Sequence, residues 1–408
     1  MPGADDRSRT STFFQDETTN FTFLIALGGA HYRAADVGTC LAIADRIQEG
    51  DPASAFEAFS DGGARLEAMA KEAAAAGHRV SAREAYLQAA NYVGSATYFA
   101  DAMGAPERFA PAWLRHQALF DKGAALLDPP MERVSIPYEG TTLPGYFFMP
   151  DGSGGRRPLL ILNNGSDGGA VAAWTMGVAA ALDRGYNVLA FYGPGQGLAL
   201  LEQGLHFRPD WEKVVTPAVD YALGRPEVDP SRIALLGISQ GGYWVPRAVA
   251  FEHRIAAAIA DPGVVDVATS WLEHLPPPLV ELLDAGEKER FDGYMRDGMK
   301  LEPKLAAVFR FRARPYGLTS PYDVYKAVRQ YNLDGIAQEI RCPMLVTDPE
   351  GEGFWPGQSQ QLYDAITCPK TLMPFLAVAG GDLHCEPKAP GLRARRIFDW
   401  LDETLGLR

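Results

Sequence analysis

The chain has 408 residues, 47% of them hydrophobic and 22% charged, and its formal net charge at pH 7 is −13. This length exceeds what one small core usually holds, so we expect one large domain and a second unit. The acidic balance argues against a nucleic-acid partner, because phosphate binding needs a basic surface, and against adhesion to an anionic membrane.

Cysteine usage and hydropathy predict the compartment. The 4 cysteines show no C-x-x-C spacing, which favours free thiols in a reducing compartment over a disulfide framework or a zinc site. They are Cys40, Cys342, Cys368 and Cys385. The N-terminal residues lack the apolar core of a signal peptide, and no segment offers the roughly 18 apolar residues of a membrane span. We therefore expect a cytoplasmic protein with no metal site.

The first part of the chain is predicted to be helical. Residues 1–18 are expected to form a disordered tail, since this end of the chain is largely polar. Residues 19–130 are expected to form an all-helical domain, because apolar residues recur there at helical spacing.

Near residue 130 the pattern changes. A β-hairpin is predicted first, and short apolar strands then alternate with helices. This alternation indicates an α/β fold over residues 131–408, with a mainly parallel, doubly wound sheet. A helical segment at about 264–335 interrupts the alternation. We interpret it as an insertion beside the strand ends, where ligands of open α/β sheets bind.

The most informative chemical motif is residues 237–241, Gly-Ile-Ser-Gln-Gly, which match the pattern G-x-S-x-G. An apolar strand precedes the motif and a helix follows it, as in a nucleophile elbow. The glycines permit a sharp turn, and the helix N-terminus supplies hydrogen-bond donors for an oxyanion. Ser239 is therefore a predicted nucleophile, and the alternative is a glycine-rich loop without catalytic function.

A serine nucleophile needs a base, and in this fold the chain order is serine, acid, histidine. Two histidines follow the next strand: His274 lies in the insertion, and His384 lies just after the last strand. We favour His384, because a loop that leaves the last strand is able to reach the elbow.

The acid is expected on the loop after the strand that contains PMLVT, in the sequence DPEGEGFWPG. Glu352 is the favoured residue, because the loop should reach the histidine at that position. Asp348 directly ends the strand and is the alternative acid, and Glu350 ranks third. A carboxylate here would hold the imidazole tautomer and stabilise the imidazolium.

Two backbone N–H groups are expected to form an oxyanion hole. One belongs to Gln240, directly after the nucleophile. The other belongs to Ser166 or Asp167, in the loop that follows the strand LLILN. A simple glycine turn is the alternative for that second loop.

Longer motifs indicate a family. They are GHRVSAREAYLQAANYVGSATYF, YGPGQG, GISQGGYWVPR, TDPEGEGFWPGQSQQLYD and GGDLHCEP. Together they resemble a group of α/β-hydrolases with an N-terminal helical domain. That group includes 2,6-dihydroxypseudooxynicotine hydrolase, the fungal pigment hydrolases that shorten polyketides, and the fermentation-respiration-switch-like esterases.

The resemblance implies a triad of Ser239, His384 and Glu352, with the N-terminal helices as a cap over the active site. The usual acid of the group is aspartate, so the glutamate is a departure that keeps Asp348 open. A homodimer is also implied. No cofactor is expected, and the expected partner is a small-molecule carbonyl substrate.

Members of this group cleave either esters or C–C bonds next to a carbonyl, in a retro-Claisen reaction. A carbanion leaving group must be protonated or delocalised, so an extra acid would favour C–C cleavage. Glu273, His274 and Tyr243 are candidates for that acid. Aromatic side chains near the predicted site suggest an aromatic or polyketide-sized substrate. The predicted substrate contacts are Tyr192, Tyr243, Trp244, Trp271, Glu273, Phe354 and Trp355.

Other functions stay open at this point. An acyltransferase or cyclase would use the same triad with a nucleophile other than water. A non-catalytic ligand-binding protein on a hydrolase scaffold is the alternative from another class. The occurrence of nucleophile, acid and base in the expected order favours the hydrolase.

Overall fold

The computed structural model describes residues 13–407. Its helices are α1 (Glu17–Gly28), α2 (Val37–Ala44), α3 (Pro52–Ala75), α4 (Arg79–Ala96), α5 (Phe109–Ala124), α6 (Ala170–Ala173), α7 (Ala179–Asp183), α8 (Gly197–Leu201), α9 (Glu212–Leu223), α10 (Gly241–Val249), α11 (Thr269–Leu272), α12 (Pro277–Asp284), α13 (Lys288–Leu301), α14 (Pro303–Ala313), α15 (Pro321–Val328), α16 (Gln358–Ala365) and α17 (Pro390–Thr404).

The strands are β1 (Glu132–Tyr138), β2 (Thr141–Phe148), β3 (Arg157–Asn163), β4 (Asn187–Phe191), β5 (Val228–Ile238), β6 (Ala257–Asp261), β7 (Met344–Pro349) and β8 (Lys370–Phe375). They form one sheet in the order β1-β2-β4-β3-β5-β6-β7-β8. The pairs β1–β2 and β2–β4 are antiparallel, and every later pair is parallel. The strand order reverses at β3, whose neighbours β4 and β5 lie on opposite sides. Such a reversal opens a crevice at the carboxyl ends of the strands.

Two hydrophobic clusters cover the two faces of the sheet. Along β3, Leu160 and Leu162 belong to one cluster while Leu159 and Ile161 belong to the other, as the two-residue period of a strand requires. The first cluster contains the N-terminal helices, and the second contains the helices between β6 and β7. The predicted α/β fold with a mainly parallel, doubly wound sheet and an N-terminal helical region is therefore confirmed.

The N-terminal helices begin before the end of the predicted tail. Phe14 is buried, and the Asp16 side chain caps α1 by accepting a hydrogen bond from Thr19 N–H. The prediction of a tail is therefore wrong for residues 13–18, because aromatic burial and a helix cap fix them. Residues 1–12 lie outside the described part of the chain.

Helices α11–α15 lie between β6 and β7, where the insertion was predicted. They reach the N-terminal helices through ion pairs and ring contacts. Arg314 pairs with the buried carboxylate of Asp101 at 2.6 Å, and the Phe311 ring lies 5.8 Å from that of Tyr98. These contacts join the two helical regions to each other. The division into domains near residue 130 stays a prediction, although the change from helices to strands falls there.

Searched over residues 13–407, the helices include none with both the length and the apolar character needed to cross a bilayer. Over the same residues, no three His, Cys, Asp or Glu side chains converge in a way that could hold a metal ion.

Candidate active site

The nucleophile elbow lies between β5 and α10. Ser239 has a φ of 57°, a left-handed conformation that costs a non-glycine residue of the order of 1–3 kcal/mol. Its N–H donates to the Asp261 carbonyl of the neighbouring strand at 2.6 Å. A Cβ atom at Gly237 would lie 2.2 Å from the Gly241 carbonyl oxygen, so the turn excludes a side chain there. The glycines of the motif therefore permit a strained turn that holds Ser239 at the carboxyl end of the sheet.

Three predicted residues form a continuous hydrogen-bonded relay. His384 Nε2 lies 2.9 Å from Ser239 Oγ, and His384 Nδ1 lies 2.7 Å from Glu352 Oε2. The side chains of His384 and Glu352 are largely buried. With Nδ1 protonated and bound to the carboxylate, Nε2 is free to accept the serine proton. We call Ser239, His384 and Glu352 the relay below.

The structure distinguishes the three candidate acids. The second oxygen of Glu352 accepts the N–H groups of Phe354 and Trp355, at 2.8 and 3.1 Å. Burial raises the pKa of Glu352, but His384 and these two donors outweigh burial and hold the pKa below its ordinary value. Glu350 instead accepts the Ala377 N–H at 2.7 Å.

Asp348 lies beside the relay without contacting its histidine. Burial raises the pKa of Asp348, and the neighbouring charge of Glu352 raises it further. Among the described residues, only Glu352 places a carboxylate within hydrogen-bonding distance of His384.

The loop after β3 packs directly against Ser239. A Cβ atom on Gly165 would lie 2.9 Å from the Ser239 Cβ atom. Gln196, from the YGPGQG motif, donates to the carbonyls of Asn164 and Gly165 at 2.8 and 2.7 Å. The Asn164 side chain also donates to the Gly169 carbonyl at 2.8 Å. These hydrogen bonds fix the loop, and they account for the glutamine in that motif.

The backbone N–H groups predicted for the oxyanion hole lie at this junction. Across residues 13–407, no acceptor is found for the N–H of Gln240 or of Ser166. The Asp167 N–H has its own carboxylate close by, which lowers the Asp167 pKa. Of the two candidates after β3, Ser166 is therefore the favoured donor.

A buried charge cluster supports the loop that carries the base. Arg393 of α17 pairs with Asp261 and also lies 3.3 Å from a carboxylate oxygen of Glu386. All three side chains are buried. Burial raises the pKa of Glu386 well above its ordinary value, and the charge of Asp261 acts in the same direction. Because Asp261 also accepts the Ser239 N–H, the cluster joins the base loop to the elbow.

Aromatic rings surround the histidine. The Phe354 ring centroid lies 4.6 Å from that of His384, and the Trp355 centroid lies 5.8 Å away. Phe21 of α1 approaches from the N-terminal region, with its centroid 6.5 Å from that of His384. The guanidinium carbon of Arg312 lies 5.6 Å from the centre of the Phe354 ring. Two of the predicted substrate contacts, Phe354 and Trp355, therefore lie at the site.

The surroundings of Asp167 indicate a cavity in front of the relay. Its side chain is exposed, yet burial raises its pKa more than the Ser166 hydroxyl, Arg312 and His384 lower it. An exposed side chain with so many neighbouring atoms is typical of an internal space rather than of the outer surface. Tyr98 lies close to Asp167. Burial raises the pKa of Tyr98, and the neighbouring Asp167 carboxylate raises it further.

Other predicted substrate contacts are core residues. Tyr243 and Trp244 are completely buried. The Tyr243 hydroxyl donates to the Pro209 carbonyl at 2.9 Å, and Trp244 stacks on Trp211 with ring centroids 4.2 Å apart. The prediction that they touch substrate is therefore wrong, since the first turns of α10 direct both side chains into the core beneath the sheet.

Tyr192, Trp271, Glu273 and His274 also lie away from the relay. The Tyr192 hydroxyl donates to Gln117 of α5, and Trp271 packs edge-on in the second hydrophobic cluster. Glu273 and His274 are exposed and lie 3.5 Å from each other. None of these residues contacts the relay in the described structure, so the structure does not bring Glu273, His274 or Tyr243, the residues predicted as an extra acid, to the relay. The acid that faces the cavity is Asp167.

Sequence reasoning missed Phe21, Tyr98 and Arg312. Tyr98 stands in the longest family motif, YVGSATYF, but nothing in that motif indicates which face of the chain meets the cavity. Phe21 and Arg312 lie in helices without any chemical motif. Only the packing of both helical regions over the sheet brings these residues to the site.

The comparisons with known proteins agree with this architecture. The prolyl oligopeptidase family matches residues 212–296, which include the elbow. The chain is 33% identical to hydrolase LUC6 of Fusarium sp over 98% of both proteins. It is 33% identical to the α/β hydrolase psoB of Aspergillus fumigatus, over 97% of this chain and 95% of psoB. It is 31% identical to 20-hydroxy-prefusarin hydrolase FUS2 of Gibberella moniliformis, over 97% and 98%.

Solved structures share the fold. The crystal structure of 2,6-dihydroxy-pseudo-oxynicotine hydrolase superposes with a TM-score of 0.73 at 21% identity, over 93% of this chain and 95% of that one. AbyA5 superposes with a TM-score of 0.59 at 18% identity, over 93% and 98%. One assignment follows from the strand order of the sheet, from the serine elbow and from the similarity over nearly the whole length of the chain. The chain belongs to the α/β-hydrolase family, and its relatives include the fungal hydrolases LUC6, psoB and FUS2.

Proposed function

We propose that the protein is a serine hydrolase that attacks a ketone or ester carbonyl of an aromatic or polyketide-like small molecule. One observation carries the proposal, which is the relay with contacts of 2.9 and 2.7 Å. In this reaction Ser239 Oγ attacks the carbonyl carbon while His384 Nε2 accepts its proton. Glu352 holds the Nδ1–H tautomer and stabilises the imidazolium that results.

The tetrahedral intermediate carries a negatively charged oxygen. The N–H groups of Gln240 and Ser166 are the proposed donors to this oxygen, supported by their lack of other acceptors among residues 13–407. Preorganised donors of this kind are worth about 2.7–4 kcal/mol each in acyl transfer. Collapse of the intermediate breaks the bond to the leaving group and leaves an acyl group on Ser239. Water, deprotonated by His384, then releases the acid product.

The leaving group decides between C–C and ester cleavage. An alcohol leaves with a proton from His384, whereas a carbanion next to a second carbonyl leaves as an enolate and is protonated at carbon or oxygen. The raised pKa of Asp167 supports C–C cleavage as the main reaction, because it favours the protonated carboxyl, which is the form able to donate a proton to the leaving enolate. Ester cleavage by the same relay is the second candidate.

The proposed substrate class rests on the cavity and on the relatives. Phe21, Phe354 and Trp355 supply apolar surface beside His384. FUS2 is named for a prefusarin and the structural relative for a pseudo-oxynicotine, both of them small organic molecules. Metal or cofactor participation forms no part of this proposal.

The test is a product analysis with matched substrates. The protein is incubated with benzoylacetone, 1-phenylbutane-1,3-dione, and with phenyl acetate, and the products are identified by mass spectrometry. We expect acids formed from both substrates, with the diketone cleaved at the bond between a carbonyl and the central carbon. A chelator should leave both rates unchanged. Cleavage of neither compound, or equal cleavage by the Ser239→Ala protein, would overturn the proposal.

A further inference from the structure

Three arginines stand at alternate positions at the end of α14, Arg310 and Arg312 within the helix and Arg314 directly after it, and two of them have a carboxylate partner. Arg314 lies 2.6 Å from Asp101, and the Arg310 Nε atom lies 3.5 Å from the other oxygen of the same side chain. Asp101 is buried between the N-terminal helices and the insertion. These two arginines therefore serve the contact between the two helical regions.

Arg312 has a different environment. Among the described residues, no carboxylate lies within 4.0 Å of its guanidinium and no hydrogen bond is formed by it. Its guanidinium carbon lies over Phe354, the ring that contacts His384. One aromatic ring therefore separates this cation from the base of the relay.

The groups that face Arg312 leave its charge uncompensated. Burial lowers its pKa, and Asp167 is the largest opposing influence, followed by Tyr325, Tyr316 and Glu273. Asp167 lies beyond ion-pair distance, and burial favours its neutral form. A half-buried cation without an anionic partner is costly, because desolvation is not repaid by a hydrogen-bonded counter-charge. A ligand anion would supply the counter-charge that Arg312 lacks among the described residues.

We propose that Arg312 binds an anionic oxygen of the substrate, so that the site selects carbonyl compounds with a carboxylate or an ionised 1,3-dicarbonyl. This inference rests on the proposed function, since it places the substrate carbonyl at Ser239 and the anionic oxygen beyond Phe354. A guanidinium suits this task because it is planar, always charged and able to bind an oxyanion pair with two N–H groups. Arg312 is thus a specificity-determining residue supplied by the insertion.

The test uses the Ser239→Ala protein, which binds without turnover, and three ligands studied by titration calorimetry. The ligands are 4-oxo-4-phenylbutanoate, its neutral amide 4-oxo-4-phenylbutanamide, and benzoylacetone. Each is titrated into Ser239→Ala alone and into double variants that also carry Arg312→Met, Arg312→Lys or the control Arg310→Met. Thermal melting of each variant checks that it is folded.

We expect Arg312→Met to weaken binding of the carboxylate by about 10–100-fold, as for loss of a charge-assisted hydrogen bond. The amide should change by less than about 3-fold, Arg312→Lys should retain part of the affinity, and Arg310→Met should retain it fully. A loss confined to benzoylacetone would identify the enolate as the recognised anion. Equal losses for all three ligands would overturn the inference. The inference would also be overturned if neither 4-oxo-4-phenylbutanoate nor benzoylacetone bound more tightly than the amide. Undetectable binding of all three ligands counts as this result.

Parallel turnover assays with the protein that retains Ser239 separate this inference from the proposed function. Arg312-dependent binding without any turnover would refute the hydrolase proposal and leave the anion site. Turnover with binding that is independent of Arg312 would refute the anion site alone.

Discussion

The relay and the residues above it are built in different ways. Ser239, Glu352 and His384 each follow a strand of one hydrogen-bonded sheet, at the ends of β5, β7 and β8. Phe21, Tyr98 and Arg312, which we call the roof residues, come from α1, the 3-10 turn after α4, and α14. The sheet fixes the distances within the relay through backbone hydrogen bonds, whereas side-chain packing alone positions the roof. We therefore expect changes in the relay to affect every substrate, and changes at the roof to affect some substrates more than others.

The largest effect is expected within the relay. Glu352→Gln should lower kcat by about 10⁴-fold, because the amide no longer holds the productive histidine tautomer. Asp348→Asn, at the end of the same strand β7, is the matched control and should change kcat by less than about 3-fold. Steady-state kinetics with phenyl acetate and benzoylacetone measure both. A greater loss in the Asp348 variant would reassign the acid.

A second change separates the support of the relay from its chemistry. Arg393→Met should lower the free energy of unfolding by about 3–5 kcal/mol, because it leaves the buried carboxylate of Asp261 without its partner. Arg395→Met, an exposed change on the same helix, should have an effect within about 0.5 kcal/mol. Urea unfolding measures the difference. Equal stability of the two variants would show that the cluster does not hold the base loop in place.

The smallest and most selective effect is expected at Asp167. If its carboxyl donates a proton to the enolate, diketone cleavage should decline as pH rises through its raised pKa, since the protonated form is then lost. Asp167→Asn should abolish that decline and lower diketone cleavage by about 10²-fold, while phenyl acetate hydrolysis changes by less than about 3-fold. A pH–rate profile for each substrate provides the measurement. The same decline in both substrates would show that the titrating group is not specific to diketone cleavage and would contradict the role of Asp167.

Sequence patterns located the relay because its features are local. An apolar strand followed by G-x-S-x-G, and polar loops after later strands, identify positions that a parallel sheet brings to one edge. The choice of Glu352 over Asp348 depended on how far a loop reaches, and the structure places Glu352 in contact with His384. The tail prediction failed at Phe14, because its ring packs against Phe23 of α1, and the polar composition of this end of the chain does not indicate that contact.

The positions of the roof residues were not predictable by the same reasoning. Arg312 stands in the sequence RFRARP, which is typical of a solvated helix face, and only the packing of Phe311 on Tyr98 turns one arginine toward the cavity. The prediction that Tyr243 and Trp244 contact substrate failed for the opposite reason. They follow the nucleophile closely in sequence, but the helical period of α10 directs them into the core, away from the substrate side of the sheet.

The most direct test of the central claim is covalent labelling of the nucleophile. The protein is treated with a fluorophosphonate and analysed by intact-mass and peptide mass spectrometry, beside the Ser239→Ala variant and the neighbouring Ser166→Ala control. We predict one label per chain on Ser239, retained in the Ser166 variant and absent from the Ser239 variant. A label on another residue, or undiminished labelling of Ser239→Ala, would contradict the account.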